Sequence, residues 1–205
     1  MTLPRGDQRF GALLLLGVSL GWGFNWMMMK ITVAEVPIWQ FRAVTGVLGA
    51  IALLVLARMT GQSLRVPRRQ WVAVAVAGLF NITSWFILIA YAVKLMASGH
   101  AAILSFTMPL WAMLMGVTLF GEKLTLRRAA ALGLGLVGVG VLMSHDFRAI
   151  GASPIGALIG IVAAINWAIG VQIQKHVKWE VETLALAGWQ IAVGIAPVVV
   201  VALVL

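Results

Sequence analysis

Long apolar runs separated by short charged loops are the feature of this sequence that most restricts its fold. Most of the runs approach 20 residues, the length that an α-helix needs to cross roughly 30 Å of hydrocarbon. A helix suits that environment because it satisfies its own backbone hydrogen bonds where water is absent. The sequence therefore predicts seven transmembrane helices, which cover residues 10–29, 38–57, 71–93, 101–120, 129–143, 155–173 and 184–205.

The composition excludes the other common classes of protein. Hydrophobic residues make up 62% of the 205 residues, and charged residues make up only 10%. A soluble domain is about half apolar and about a quarter charged, because its surface must face water. A disordered chain would be poor in apolar residues. The predicted fold class is thus an all-α polytopic membrane protein.

The net charge of +9 bears on the partners of the chain. In a soluble protein this charge would favour nucleic acid, but loops of membrane proteins collect Lys and Arg for topological reasons. We therefore expect no nucleic-acid partner; the expected partners are the lipid bilayer and a small-molecule substrate. Cysteine is absent, which excludes disulfides and thiolate metal sites, and no cofactor or metal is expected.

The distribution of Lys and Arg between alternate loops predicts the orientation in the membrane. Cytoplasmic loops carry the excess of these residues. One side of the predicted topology holds eleven of them and the other side three, so the N-terminus is predicted in the cytoplasm and the C-terminus outside, in a cytoplasmic (inner or plasma) membrane. The eleven are Arg5, Arg9, Arg58, Arg65, Arg68, Arg69, Lys123, Arg127, Arg128, Lys175 and Lys178, and the three are Lys30, Lys94 and Arg148.

An internal repeat is indicated when the sequence is shifted by about 145 residues. The first and sixth helices then align, and they run in opposite directions, as in the inverted repeats of many secondary transporters. We expect a five-helix repeat over residues 10–143 and two helices of a second, inverted repeat over 154–205. The matched positions are Gly11-Ala12-Leu13 with Gly156-Ala157-Leu158, Trp22 with Trp167, Lys30 with Lys175, and Trp39-Gln40 with Trp189-Gln190.

Several motifs resemble the EamA domain of the drug/metabolite transporter superfamily. The resemblance implies a carrier of ten helices in two repeats, which moves small metabolites by alternating access; this sequence departs from it by ending after seven helices, and we expect a truncated chain. The motifs are Trp22-Gly23-Phe24-Asn25 with Lys30, Phe41-Arg42, Tyr91-Ala92, Ala101-Ala102-Ile103-Leu104, Pro109-Leu110-Trp111, Gly121-Glu122-Lys123-Leu124-Thr125 before Gly133 and Gly138, and Asn166-Trp167-Ala168 with Lys175.

Arg42 is the only charged residue within the predicted helices. A charge in a membrane helix costs a few kcal/mol or more and marks a functional site by default. Two interpretations remain open. Arg42 either snorkels to the outer surface or pairs structurally, or it contacts a substrate that carries a carboxylate or phosphate.

Amides and tryptophans within the predicted helices are the other candidates for substrate binding. Buried amides either join helices by hydrogen bonds or line a site near the membrane midplane. Deep tryptophans either pack against neighbours or form the aromatic wall of a cavity. With Arg42, the candidate substrate-binding residues are Trp22, Asn25, Asn81, Trp85, Trp111, Asn166, Trp167 and Gln190.

Catalysis is not indicated. His100, His145 and His176 are isolated, and no acidic residue lies in a predicted helix, so the chain is not expected to be an enzyme. Glu122 is expected to pair with Lys123, Arg127 or Arg128, or to cap the next helix.

Two functions are predicted. The first is a secondary transporter, an exporter of small metabolites or drugs. The alternative is a truncated chain or half-carrier that transports only when self-association or a partner chain supplies the missing helices.

Overall fold

The computed structural model of the protein describes the backbone of residues 5–144 and 153–205, and the side chains of residues 11–141 and 153–205. A π-helical segment, Leu79–Ser84, lies between the third and fourth α-helices. The α-helices of the described residues are α1 (Arg5–Glu35), α2 (Ile38–Met59), α3 (Trp71–Gly78), α4 (Trp85–Leu95), α5 (Ser98–Ser105), α6 (Met108–Phe120), α7 (Leu126–Ser144), α8 (Pro154–His176) and α9 (Thr183–Val204).

The all-helical character and the membrane class are confirmed. Within the described residues every regular element is a helix. Six helical stretches there are long and apolar enough to cross a bilayer, among them Arg68–Leu95, which includes the π-helical segment, and Ser98–Phe120, which consists of α5 and α6. The fifth predicted helix, residues 129–143, lies within α7. The total of seven membrane helices stays a prediction.

The first helix continues further than its apolar run. The sequence placed Lys30 and Glu35 in a loop, which is wrong, because α1 ends only at Glu35. Hydropathy marks the hydrocarbon layer, and a helix can extend beyond it. The Lys30 ammonium donates hydrogen bonds to the carbonyls of Val93, Lys94 and Met96, where α4 ends. A cation at a helix C-terminus satisfies carbonyls that lack a partner within the helix.

Small residues bring α9 close to its neighbours. It packs against α2 in antiparallel fashion, because Gly46 lies against Ile195 and Gly188 against Leu54. On another side α9 meets α3, where a side chain on Gly78 would lie 2.7 Å from the backbone oxygen of Gln190. Helices pack this closely in membranes through glycine, since dispersion contacts replace the hydrophobic effect there.

This backbone contact predicts a large difference between two glycine substitutions. Gly78→Ala should destabilise the protein by about 1–3 kcal/mol, because the new methyl group meets backbone that cannot turn aside. Gly49→Ala in α2 is the matched control, since nothing lies within 4 Å of the added atom. Thermal unfolding of the detergent-solubilised proteins measures both. Equal melting temperatures for the two variants would contradict the close approach of α3 and α9.

The loops gather at two ends of the bundle. Loops 60–67, 121–125 and 177–182 lie together at what we call the basic end: Gln62 accepts hydrogen bonds from the backbone of Leu184 and Ala185, and Arg69 pairs with Glu180. Loops 36–37 and 96–97 and the start of α8 form the opposite end. The loops in which the sequence predicts most of the Lys and Arg therefore share one end of the structure.

Candidate functional site

A row of polar side chains runs through the interior of the bundle. It consists of Arg42, Asn81, Gln190 and Gln172, and we call it the polar row. Arg42 lies nearest the opposite end, Asn81 abuts Gly170 of α8 in the middle, and the two glutamines lie nearer the basic end. Each of the four has a buried nitrogen or oxygen without a hydrogen-bond partner among the described residues, and Gln40 Oε1 on α2, outside the row, is a fifth such atom. Such atoms are rare in folded proteins and call for an explanation.

Arg42 turns into the bundle and does not reach its surface, for only 8% of the residue is exposed. Its Nη2 donates to the Met29 sulfur at 2.7 Å, while its Nε has no partner. The guanidinium carbon lies 4.9 Å from the ring centroid of Phe41 and 5.0 Å from that of Phe86. No carboxylate of the described residues pairs with it. A thioether is a weak acceptor, so the cation is only partly compensated.

Asn81 lies on the π-helical segment Leu79–Ser84. π-Helical segments are rare in proteins, and those that occur are often found at functional sites. The amide lies so close to Gly170 that a side chain at that position would overlap it, and its Oδ1 has no partner. On the same segment the Thr83 hydroxyl donates to the Gly194 carbonyl of α9. The π-helical turn thus joins α8 and α9 at the middle of the bundle.

In the side-chain amide of each of the two glutamines, Gln190 and Gln172, one polar atom has a hydrogen-bond partner and the other has none. Gln190 accepts a hydrogen bond from Gln174 at 2.5 Å, and its own Nε2 has no partner. Gln172 donates to the Ala112 carbonyl of α6, and its Oε1 has no partner. Both a donor and an acceptor therefore remain free in this part of the polar row.

A cavity of about 740 Å³ opens beside Gln172, between α6, α7 and α8. Its walls are mainly apolar, with Leu110, Leu136 and Val171 among them. Its charged lining residues are Glu122, Arg128 and Lys175, which lie at the basic end. Apolar walls with a few polar groups are typical of sites that hold small organic molecules.

Glu122 is the centre of a charged cluster at the basic end. Its carboxylate accepts a hydrogen bond from Lys175, and it lies 3.9 Å from both Arg128 Nη1 and His176 Nε2. The hydrogen bond from Lys175 and the nearby positive charges hold the pKa of Glu122 below its ordinary value. The predicted pairing is confirmed for Arg128; the stronger partner, Lys175, lies 53 residues away in the sequence and was not predicted.

The lowered pKa of Glu122 predicts how stability depends on pH. The pairing should contribute above the ordinary value of 4.5 and disappear as the pH falls through the lower pKa of the folded protein. Glu122→Gln should therefore melt a few degrees below the wild type near neutral pH, and the gap should close in acid. Glu35→Gln at the opposite end is the control. A gap that stays constant down to strongly acidic pH would contradict the assignment.

The structure separates two of the predicted site residues from the polar row. Trp22 is 56% exposed, and Asn25 is exposed as well, on a half of α1 that has few neighbours. Within the described residues, neither has a hydrogen bond to Arg42 or Asn81.

The remaining candidates are half-buried. Asn166 donates to Val162 of its own helix, and the Trp111 indole donates to Thr107. Trp85 packs against the apolar core near Met29, and Trp167 lies on α8.

Sequence reasoning missed the surroundings of Arg42 and two glutamines of α8. Met29 and Phe86 come from other helices, so no spacing along the chain links them to Arg42. Gln172 and Gln174 did carry a signal, because amides at the end of an apolar run are costly unless they find partners.

Residues 9–144 match the EamA-like transporter family. The chain is also 28% identical over 186 residues to an uncharacterized transporter of Bacillus subtilis, covering 89% of this chain and 59% of that protein. An uncharacterized inner membrane transporter of Escherichia coli is 26% identical over 187 residues, covering 91% of this chain and 59% of its own length.

A third relative, from Escherichia coli and named a probable amino-acid metabolite efflux pump, is 24% identical over 204 residues and covers 97% of this chain and 65% of its own length. A solved crystal structure superposes with a TM-score of 0.60 at 24% identity, over 88% of this chain and 65% of that one, which shows a shared fold. The chain spans about 60% of the length of the Bacillus subtilis relatives that it matches.

Proposed function

Because this chain belongs to the EamA-like transporter family of the drug/metabolite transporter superfamily, we propose that it carries a small organic metabolite across the inner membrane by alternating access. The observation behind this proposal is the polar row, whose free donors and acceptors lie inside an apolar bundle. An unpaired buried polar group costs about 1–3 kcal/mol. A protein that retains four of them in a row gains from them in another state, when substrate or water supplies the missing partners.

The proposed substrate site is the part of the polar row that runs from Arg42 through Asn81 to Gln190. Substrates of such carriers bind near the midplane where the two repeats meet. Arg42 and Asn81 come from the proposed first repeat (10–143), and Gln190 comes from the proposed second (154–205). Trp85 and Trp167 are proposed as walls of the path, and the basic end is proposed to face the cytoplasm.

Alternating access requires that the two ends open in turn. At the basic end, Glu122 with Lys175 and Arg69 with Glu180 join the two proposed repeats. At the opposite end, α8 packs at Gly156 against Leu95. We propose that the contacts at one end loosen while those at the other stay closed, with the cavity beside Gln172 as the inner vestibule.

Counterflow in proteoliposomes tests the proposal. Purified protein is reconstituted in liposomes preloaded with an unlabelled compound, and the uptake of the same labelled compound is followed. Amino acids are the first compounds to try, because one relative is named for amino-acid metabolites. Saturable uptake above that of empty liposomes is expected for at least one compound. Uptake equal to that of empty liposomes throughout a broad metabolite panel would contradict the function.

The alternative is a half-carrier that becomes active with a second copy or a partner chain. The exposed half of α1 favours it: Leu13, Leu15 and Phe24 are among its exposed side chains, and Gly17 and Gly21 lie at the spacing that favours helix pairing. Crosslinking in native membranes distinguishes the two functions. A half-carrier should form dimers or capture a partner through α1, and its flux should depend on that contact.

A further inference from the structure

We infer that Arg42 binds the carboxylate of the transported molecule, and that the Met29 thioether occupies the place of this carboxylate when the site is empty. The inference rests on the proposed transport function and names the chemical class of its substrate. Among the described residues Arg42 is the one buried cation, and its hydrogen-bonding edge is incomplete.

The free donors of Arg42 match a carboxylate in geometry. Nε and one terminal nitrogen form a two-donor edge of the planar guanidinium, and a carboxylate meets such an edge with two parallel hydrogen bonds. In Arg42 the Nε has no partner and Nη2 has only the Met29 sulfur, at 2.7 Å. A single carboxylate would therefore supply a partner for the free Nε and replace the Met29 sulfur, a weak acceptor, as the partner of Nη2.

The surroundings of Arg42 hold the guanidinium and keep its charge effective. Phe41 and Phe86 lie about 5 Å from its central carbon, at 4.9 Å and 5.0 Å. Aromatic rings at this distance stabilise a cation and restrict its orientation. Their apolar rings also lower the local dielectric constant, and an ion pair is stronger where that constant is low.

The charge balance favours a carboxylate over a phosphate. Arg42 supplies one positive charge, whereas a phosphate monoester carries about −1.5 to −2 at neutral pH. The next cation in this region, Lys30, already donates to three carbonyls at 2.7, 2.8 and 3.2 Å. A carboxylate is neutralised by Arg42 alone, while a phosphate would bring an uncompensated charge into an apolar site.

Met29 is suited to yield its place to a ligand. Its side chain is unbranched and has three rotatable bonds, so it can leave the guanidinium at little cost. It is almost fully buried in the empty site and packs in the cluster that holds Ile89 and Val93. Its displacement would link binding at Arg42 to the packing of α1 against α4.

The test compares carboxylates with their primary amides. The probes are a panel of amino acids, benzoate and hexanoate, each beside its amide, with phenyl phosphate added. Binding is measured by thermal shift of the purified protein, and transport by counterflow. The variants are Arg42→Gln, Arg42→Lys, Met29→Leu and, as the control on the same helix, Arg58→Gln, whose residue lies exposed at the basic end.

We expect at least one carboxylate to stabilise the wild type and Arg58→Gln while its amide does not. Arg42→Gln should weaken that binding about a hundredfold, as expected for the loss of a charge-assisted pair. Arg42→Lys should retain part of the binding, because it keeps the charge and loses the two-donor edge. Met29→Leu should strengthen binding, since it removes the competing acceptor, and it remains informative if Arg42→Gln does not fold.

Three results would overturn the inference: no carboxylate binds, an amide or phenyl phosphate binds as well as the carboxylate, or the binding is unchanged in folded Arg42→Gln. Failure of the proposed function looks different. A wild type that transports amides and acids equally, independently of Arg42, remains a transporter without the inferred site. If the wild type binds carboxylates through Arg42 but shows no flux, the inferred site is supported and the proposed transport function is contradicted.

Discussion

Asn81→Ala is expected to lower transport at least about tenfold while the protein stays folded. Asn81 contributes a free acceptor at the middle of the polar row, on the π-helical segment that joins α8 and α9. Alanine removes the amide and relieves the close contact with Gly170, so no clash is created. The variant loses a hydrogen bond to the substrate and a polar side chain along the proposed path. The flux should therefore fall about tenfold or more.

Counterflow measures this flux, and thermal unfolding shows that the variant is folded. Thr118→Val is the control, because Thr118 is an exposed residue that bonds only to Leu114 of its own helix. The assignment of Asn81 is wrong if the alanine variant transports like the control. A drop in flux that merely follows a lower melting temperature would also count against it.

Arg42→Gln should have the largest effect of any substitution in the bundle. Glutamine removes the only charge that the polar row contains and replaces a planar fork of donors with a single amide. The expected loss of flux is about a hundredfold, the equivalent of roughly 2.7 kcal/mol, in the range measured for hydrogen bonds to charged groups. Stability should change little or rise, because a buried, poorly compensated cation is costly in a membrane helix.

Arg58→Gln distinguishes the loss of a positive charge in general from the loss of the charge at position 42. Arg58 lies on the same helix as Arg42, at the basic end, where it is exposed. Its replacement should leave flux near the wild-type level and cost little stability. Equal losses in the two variants would point to a general effect of positive charge on insertion or orientation, and would remove Arg42 from the site.

The helices were largely predictable because hydropathy is a local property. An apolar run of about 20 residues has few alternatives to a membrane helix, and each predicted run is mostly helical over its described residues, although a turn at 106–107 interrupts the fourth. The ends were less predictable. The last part of α1, which includes Lys30, is stabilised by hydrogen bonds that the Lys30 ammonium donates to carbonyls at the end of α4. These carbonyls are distant in the sequence, so no local pattern could predict the contact.

The candidate site was predicted only in part, for the same reason. Arg42, Asn81 and Gln190 were singled out because polar groups are costly in hydrocarbon, and they now lie in the polar row. Asn25 met the same criterion, and Trp22 was chosen as a deep aromatic residue, but both lie on the exposed side of α1. The sequence reports that a residue is polar, whereas the direction in which its helix turns depends on packing.

The position of Glu122 illustrates the same limit at the basic end. Its neighbours along the chain are cations, so pairing with one of them was predictable, and Arg128 does lie 3.9 Å away. The hydrogen bond from Lys175 depends on how the end of α8 meets the loop 121–125. Contacts between the two proposed repeats are therefore the part of the site for which a structure is needed.

The polar row should be a water-accessible path through the bundle, and thiol labelling tests this without knowledge of the substrate. The protein contains no cysteine, so single cysteines can be introduced without altering the background. Asn81→Cys and Gln190→Cys lie in the row, whereas Leu48→Cys lies on the exposed apolar side of α2, at a similar depth. In membrane vesicles, a charged, membrane-impermeant thiol reagent should label the two row positions and leave Leu48→Cys unmodified. Inert row cysteines, or labelling of Leu48→Cys at the same rate, would show that the row is not a water-accessible path.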